Sequence, residues 1–360
     1  MTIKVLHCMH SLHGGGAERQ LSIMVNHQDS EKLEMAIFCV NDDMSNVNLN
    51  KCNILKIKDP DNYPFKMVQE ICSAIDEFQP DIVHTWLPPS ISAPALVAAR
   101  IRNKVAVASY RNKKIFESWI RLPEFFSTLF FANAIVSNNS PTQSSYLFRK
   151  LFYLKKNDVI PNAVDVPFEY IRKDVDSSPD VLNILFVGRI TDQKNWQVLL
   201  RALAGIKNNN RWKLTVCGKG EDEEKFISLA QSLEVYGNIN MLGYIKDVYP
   251  VMSQSDLLVL PSWYEGMPNV VLEAMTLGLP SVVSSIDAHT SLFDNNSGVV
   301  FFDPKKPDEL ASVFNEISRG VIDLKKLSSD GLMFSKRFTP KIMLEKYFSF
   351  YRKILNEDKN

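Results

Sequence analysis

The sequence predicts an α/β protein made of two doubly wound domains, and three observations carry that prediction. Short apolar, strand-like runs alternate with segments of helical periodicity along almost the whole chain. The series starts afresh after a polar stretch near the middle, and 360 residues suffice for two separate hydrophobic cores. Such alternation calls for parallel strands joined by helices that cover both faces of the sheet.

In the first half the strand-like runs are KVLHCM, MAIFCV, DIVHTW, VAVASY and AIVSNN. Between them, residues 66–78 place Met67, Ile71, Ala74, Ile75 and Phe78 at helical spacing. After VIPNAVDVP comes the polar stretch RKDVDSSPD, and residues 167–180 read as a linker. The second series is LNILFVG, KLTVCG, INMLG, DLLVLP, PSVVSS and GVVFF. Domains over 1–167 and 168–339 follow. The last helical segment, 340–355, gathers Met343, Leu344, Tyr347, Phe350, Tyr351 and Ile354 on one face, so it must pack against something, and the first domain is the expected surface.

Composition excludes several classes. The chain is 45% hydrophobic and 23% charged with no formal net charge, which gives no support for wholesale nucleic-acid binding. Its five cysteines are odd in number and lack a C-x-x-C spacing, so a reducing cytoplasm is expected and a disulfide or zinc framework is not. MTIKVLHCMH reads as a strand and not as a secretory leader. The apolar part of the uncharged stretch before Arg149, FFSTLFFANAIV, is about half the roughly 20 residues that a membrane span needs. Charge is nevertheless uneven: residues 100–156 hold eleven basic side chains against Glu117 and Glu124, interleaved with aromatics in IFESWIRLPEFFSTLFF. That surface suits anionic lipid headgroups, or is a solvated basic face beside a core helix.

Four motifs could carry chemistry. The first βα turn, HSLHGGGAERQLSIMV, has Gly14, Gly15 and Gly16, where a phosphate or sugar can approach the main chain; a plain glycine turn is the other reading. Neither this turn nor GKGEDE completes G-x-G-x-x-G, which argues against a dinucleotide. In FVGRITDQKN, Gly188 ends a strand, Thr191 or Asp192 is placed to cap a helix, and Arg189 and Lys194 suit a diphosphate unless they are merely solvated. In EGMPNVVLEAMTLGLP a helix starts near Pro268 with Asn269 as its cap and stops at Gly278 and Pro280. Glu265 then precedes the helix and Glu273 lies about one turn inside it, both able to face an anion site at its N-terminus or to sit in solvent. His7 and His84 lie where a cleft would form, yet a histidine in an apolar strand is more often a satisfied core residue. No His/Cys/Asp cluster has metal spacing and no G-x-S-x-G elbow occurs.

Taken in order, GGGAER, FVGRITDQKN, VCGKGE and EGMPNVVLEAMTLGLP closely resemble glycosyltransferase family 4 across nearly the whole chain. These are retaining nucleotide-sugar transferases of the GT-B fold, two Rossmann-like domains facing across a cleft. The resemblance implies that Glu273 binds the donor's ribose hydroxyls, Glu265 the hydroxyls of the transferred sugar, and Gly266, Met267, Pro268, Asn269 and Val270 the phosphate and sugar through the main chain. It implies that Arg189 and Lys194 neutralise the leaving diphosphate so that no metal or other cofactor is needed. It also implies that Gly14 to Gly16 close on that phosphate and that Tyr244 and Ile245 hold the nucleobase.

The expected donor is a nucleotide-sugar, UDP- ahead of GDP-. The expected acceptor is a glycan on a polyprenyl diphosphate at the inner membrane surface, in surface polysaccharide, O-antigen or lipopolysaccharide synthesis. Retention is expected by front-face transfer, since a Glu265 occupied by sugar hydroxyls is no evident nucleophile.

The sequence departs from the family pattern twice. SYRNKK puts Arg111 and Asn112 where many relatives have a histidine, and Arg111 is suited not to base catalysis but to holding the acceptor's lipid-linked phosphate or assisting the donor. SSIDAHTSLF has Ala288 and His289 where a Gly-Gly turn and a Glu are common. The alternatives are a nucleotide-sugar epimerase of the same fold and a non-catalytic subunit that binds a sugar nucleotide or lipid phosphate.

Overall fold

The computed structural model describes residues 2–12, 16–41, 49, 53–56, 65–86, 89–111, 122–139, 153–171, 175–176, 179–206, 211–294 and 296–357. It divides into two compact units: Met1–Ala163 with Phe338–Asn360, and Val164–Arg337.

The first unit contains β1 (Ile3–Ser11), α1 (Gly16–Asn26), β2 (Leu33–Asn41), β3 (Asn53–Lys56), α2 (Phe65–Phe78), β4 (Ile82–Trp86), α3 (Pro89–Ile101), β5 (Val105–Tyr110), α4 (Leu122–Phe131), β6 (Ala134–Ser137) and β7 (Lys156–Val159). All seven strands are parallel, in the order β3-β2-β1-β4-β5-β6-β7. Every residue of β4, β5 and β6 is buried, as central strands covered on both faces require. The two outermost strands, NILK and KNDV, escape a search for apolar runs because an edge strand pairs through its backbone and needs few apolar side chains. Sheet order reverses between β1 and β4, and in open α/β sheets the carboxyl ends of strands at such a switch point are where ligands bind.

The second unit contains β8 (Val181–Val187), α5 (Trp196–Ala204), β9 (Arg211–Cys217), α6 (Glu223–Ser232), β10 (Ile239–Gly243), α7 (Tyr249–Gln254), β11 (Leu257–Leu260), α8 (Asn269–Thr276), β12 (Ser281–Ser284), α9 (Asp287–Thr290), β13 (Val299–Phe302), α10 (Pro307–Ser318) and α11 (Leu324–Ser335). Its six parallel strands run β10-β9-β8-β11-β12-β13. The final helix, α12 (Pro340–Glu357), returns to the first unit, where its apolar face joins the core that holds Val5, Trp86 and Val107.

Two local expectations are corrected. Asn269 does not cap α8: Pro268 precedes the helix with φ −80° and ψ 72°, Asn269 is the first helical residue, and no side chain caps the end. Nor does Thr191 or Asp192 cap α5. A single 3₁₀ turn, Asp192–Lys194, intervenes, and Asn195 in the left-handed region (φ 47°) reverses the chain before the helix begins. The stop does lie at Gly278, whose φ of +75° suits a residue without a side chain.

Of the basic aromatic stretch, 112–121 and 140–152 lie outside the described residues, as do Gly14 and Gly15. On α4, Phe126 and Phe130 are 48% and 68% exposed with their rings stacked. Among the described residues no helix is long and apolar enough to cross a membrane.

Candidate active site

In the second unit the site is built by two loops at the carboxyl ends of neighbouring strands, β8 and β11. Gly188 leaves β8 with φ +154°, and a Cβ there would stand 3.0 Å from Lys194 Cε, so the missing side chain makes room for the lysine stem. The glycines of VCGKGE serve the same loop: a Cβ on Gly218 would fall 1.9 Å from the Gly188 carbonyl oxygen, and one on Gly220 would fall 2.1 Å from that of Ile190.

Lys194 Nζ lies 2.7 Å from Glu265 Oε1, and the same oxygen accepts Ser262 Oγ at 2.6 Å. Both charged side chains are largely enclosed, at 14% and 11% exposure. Backbone and side chain stitch the loops further: Trp263 N donates to Gln193 O at 2.9 Å, and Gln193 Nε2 to Tyr264 O at 2.9 Å. Arg189 is exposed, with one guanidinium nitrogen 3.5 Å from Gln193 Oε1. The two cations thus differ: Lys194 is partly neutralised by Glu265, whereas Arg189 presents its charge to solvent.

Behind Glu265 a relay of hydrogen bonds runs through Ser284, whose Oγ donates to Ser262 O at 2.7 Å, to His289, whose Nδ1 donates to Ser284 O at 2.7 Å. That bond fixes the proton on Nδ1, leaving Nε2 as an acceptor that is buried without a partner. Burial pushes the His289 pKa down to about 4, against the opposing pull of the Ser284 carbonyl and Glu265. Ser262, Gln193, Ser284 and His289 were not among the residues assigned by motif; the only signal was a serine ending an apolar strand three residues before Glu265, and a histidine in place of a common turn.

Glu273 on α8 is buried at 6% exposure, which overturns the reading of it as an ordinary exposed helical carboxylate. Met267 and Pro268 are buried and Gly266, Asn269 and Val270 half-buried around the start of that helix. Tyr244 and Ile245 follow β10, Tyr244 being 60% exposed, and no described hydrogen bond joins its side chain to the Lys194–Glu265 pair.

Gly16 and Arg111 belong to the first unit, Gly16 as the first residue of α1. Arg111 follows β5 and stacks its guanidinium on Trp86, 3.8 Å from the ring centroid. His7 and His84 are fully buried, and His84 is satisfied at both nitrogens by Ser109 and Tyr351 at 2.6 Å each.

Residues 168–331 match the family model of glycosyl transferases group 1. The Escherichia coli UDP-Gal:α-D-GlcNAc-diphosphoundecaprenol α-1,3-galactosyltransferase is 32% identical over 152 residues, covering 39% of each chain. The lipopolysaccharide glucosyltransferase WaaG of E. coli K12 is 29% identical over 164 residues, 45% of this chain and 43% of that one. The chain spans 28% to 63% of the length of the curated relatives it matches. Among solved structures, Anabaena HepE in complex with UDP and glucose superposes with a TM-score of 0.78 over 98% of this chain and 100% of that one, at 17% identity, which speaks for the fold. Residues 168–331 are thus similar in sequence to the group 1 glycosyl transferases, and the chain has the two-sheet fold of the GT-B glycosyltransferases.

Proposed function

We propose that this protein transfers one sugar from a nucleotide-sugar, UDP- ahead of GDP-, to a hydroxyl of a glycan carried on a lipid diphosphate, with retention at the anomeric carbon and without a divalent metal. The enclosed Lys194–Glu265 pair beside the exposed Arg189 carries the reading: it sets a carboxylate suited to sugar hydroxyls against cations suited to a departing diphosphate. The buried Glu273 is the partner for the ribose. A relative named for transfer to a diphosphoundecaprenol-linked sugar, and one named for lipopolysaccharide glucosyl transfer, support the acceptor class and the biosynthetic setting. Work at the cytoplasmic membrane face is supported by the exposed Phe126 and Phe130 in a basic stretch.

In this mechanism the acceptor oxygen attacks the anomeric carbon on the face from which the diphosphate leaves. The carbon–oxygen bond to the diphosphate breaks, and the acceptor's proton passes to a departing phosphate oxygen. Lys194 and Arg189 hold the charge that develops there. Glu265 Oε1 already receives a lysine and a serine, which supports a role in orientation over one as nucleophile.

The test is nucleotide release from UDP-, GDP- and ADP-sugars in chelator, with and without prenyl-diphosphate glycans, for wild type and Glu265→Ala. Release from one donor, raised by acceptor and abolished in the variant, is the result that supports the reading; NMR of the product then reads its anomeric configuration. Binding without turnover on every acceptor would point to a non-catalytic subunit, and a sugar trapped covalently on Glu265 would exclude the front-face route.

A further inference from the structure

The first unit holds a buried polar cluster that the groups around Lys194 and Glu265 leave unexplained. Alternation along the strands puts His84 and Trp86 on one face of β4, and Ser109 and Arg111 on the same face of and just beyond β5. Trp86 Nε1 donates to His7 Nδ1 at 2.9 Å, and the Arg111 guanidinium lies flat over the indole. Its two terminal nitrogens donate to Asn162 Oδ1 at 2.6 Å and to the Tyr347 hydroxyl at 2.7 Å, while Nε is buried with no partner.

Every one of these partners is neutral. Burial, reinforced by Arg111, pushes His7 down to about 3 and His84 well below the ordinary range, so neither is charged near neutrality. Burial raises Tyr347 and Tyr351, so both keep their protons. Among the described residues no carboxylate pairs with Arg111. A desolvated guanidinium without a counter-charge is costly and is normally paired. Arg111 is half-buried as a residue, and each terminal nitrogen of its planar fork carries a second N–H beyond the bonds to Asn162 and Tyr347. It stands at the carboxyl end of β5, one strand from the point where the sheet order reverses.

We propose that Arg111 anchors a phosphate-binding subsite in the first unit, and that the phosphate it takes is that of the lipid-diphosphate acceptor. The second clause rests on the transferase reading; the subsite itself does not.

Inorganic pyrophosphate is titrated calorimetrically into the full chain and into Arg111→Gln, Arg111→Lys and Arg189→Gln, with thermal melting of each as a fold control. The subsite predicts a class of binding weakened at least about tenfold in Arg111→Gln and retained in Arg189→Gln. If Arg111→Gln fails to fold, Arg111→Lys, which keeps the charge but loses the fork, must show the weakening. Titrations that Arg111 substitution leaves unchanged overturn the proposal, and leave Arg111 as a cover for Trp86. The kinetic arm compares a prenyl-diphosphate glycan with the same glycan lacking phosphate. A raised KM for the first alone, with donor KM unmoved, assigns the anion to the acceptor; a raised donor KM overturns that assignment. Absence of transfer with any pair would sink the transferase reading while the titration still decides the subsite.

Discussion

Ser262 and Lys194 converge on one oxygen of Glu265, at 2.6 and 2.7 Å, so the same contacts that tie the loop after β8 to the loop after β11 also set the candidate donor groups. Stability and activity are therefore coupled at this point and can be separated by choice of substitution.

Lys194→Ala leaves a nearly enclosed carboxylate without its cation. Sugar transfer should fall by about 10²- to 10³-fold, and stability by about 1–3 kcal/mol. Adding Glu265→Gln should restore much of the stability and none of the activity. Urea unfolding and nucleotide-release assays on the single and double variants check both halves.

Glu273 is buried on the second turn of α8, and the proposed function gives it a donor hydroxyl to hold and no part in the chemical step. Glu273→Ala should raise the donor KM about 10- to 100-fold with kcat little changed. Initial rates over a range of donor concentration separate the two; a loss confined to kcat would contradict this role.

Gly218 tests the packing of the two glycine loops. Its φ of +151° and the 1.9 Å approach of a built Cβ to the Gly188 carbonyl leave no room for even a methyl group, and the obstacle is backbone, which cannot swing away. Gly218→Ala should destabilise the second unit by about 3 kcal/mol, whereas Gly237→Ala, with nothing near its Cβ, should cost less than about 1 kcal/mol. Chemical denaturation of the two variants provides the comparison.

His289 should make the second unit acid-sensitive. In the unfolded chain it takes up a proton near its ordinary pKa of 6.5, but in the fold only near 4, so the unfolded state binds more protons throughout that window and stability falls as pH is lowered through it. The full loss is about 3 kcal/mol, present below pH 4 and absent above pH 6.5. His289→Asn should show a correspondingly shallower decline between those pH values. Equal slopes for variant and wild type in urea unfolding would exclude His289 as the source.

The central strands were legible because a parallel strand buried on both faces is predominantly apolar, and DIVHTW, VAVASY and DLLVLP each carry a mainly apolar run. So was the packing face of α12, since six apolar residues at helical spacing permit one orientation, and all six are buried. The edge strands NILK and KNDV were not, because a backbone ladder leaves no mark on side-chain polarity. The N-terminus of α8 misled for a similar reason: asparagine is a favoured cap, but Pro268 already turns the chain and displaces it into the helix.

By itself, then, the sequence determined the two doubly wound sheets, the glycine-bearing turns and the charged residues of the candidate site, because hydrophobic periodicity and local backbone chemistry act over a few residues. Only the tertiary structure decided which of those charges meet. Lys194 and Glu265 are 71 residues apart, and Arg111 and Tyr347 are 236 apart; the first pairing depends on two neighbouring parallel strands ending side by side, the second on the last helix packing back on the first unit. The same long-range packing buried His289 and left Arg111 with only neutral partners, because desolvation and charge balance belong to the folded surroundings and not to any short stretch of chain.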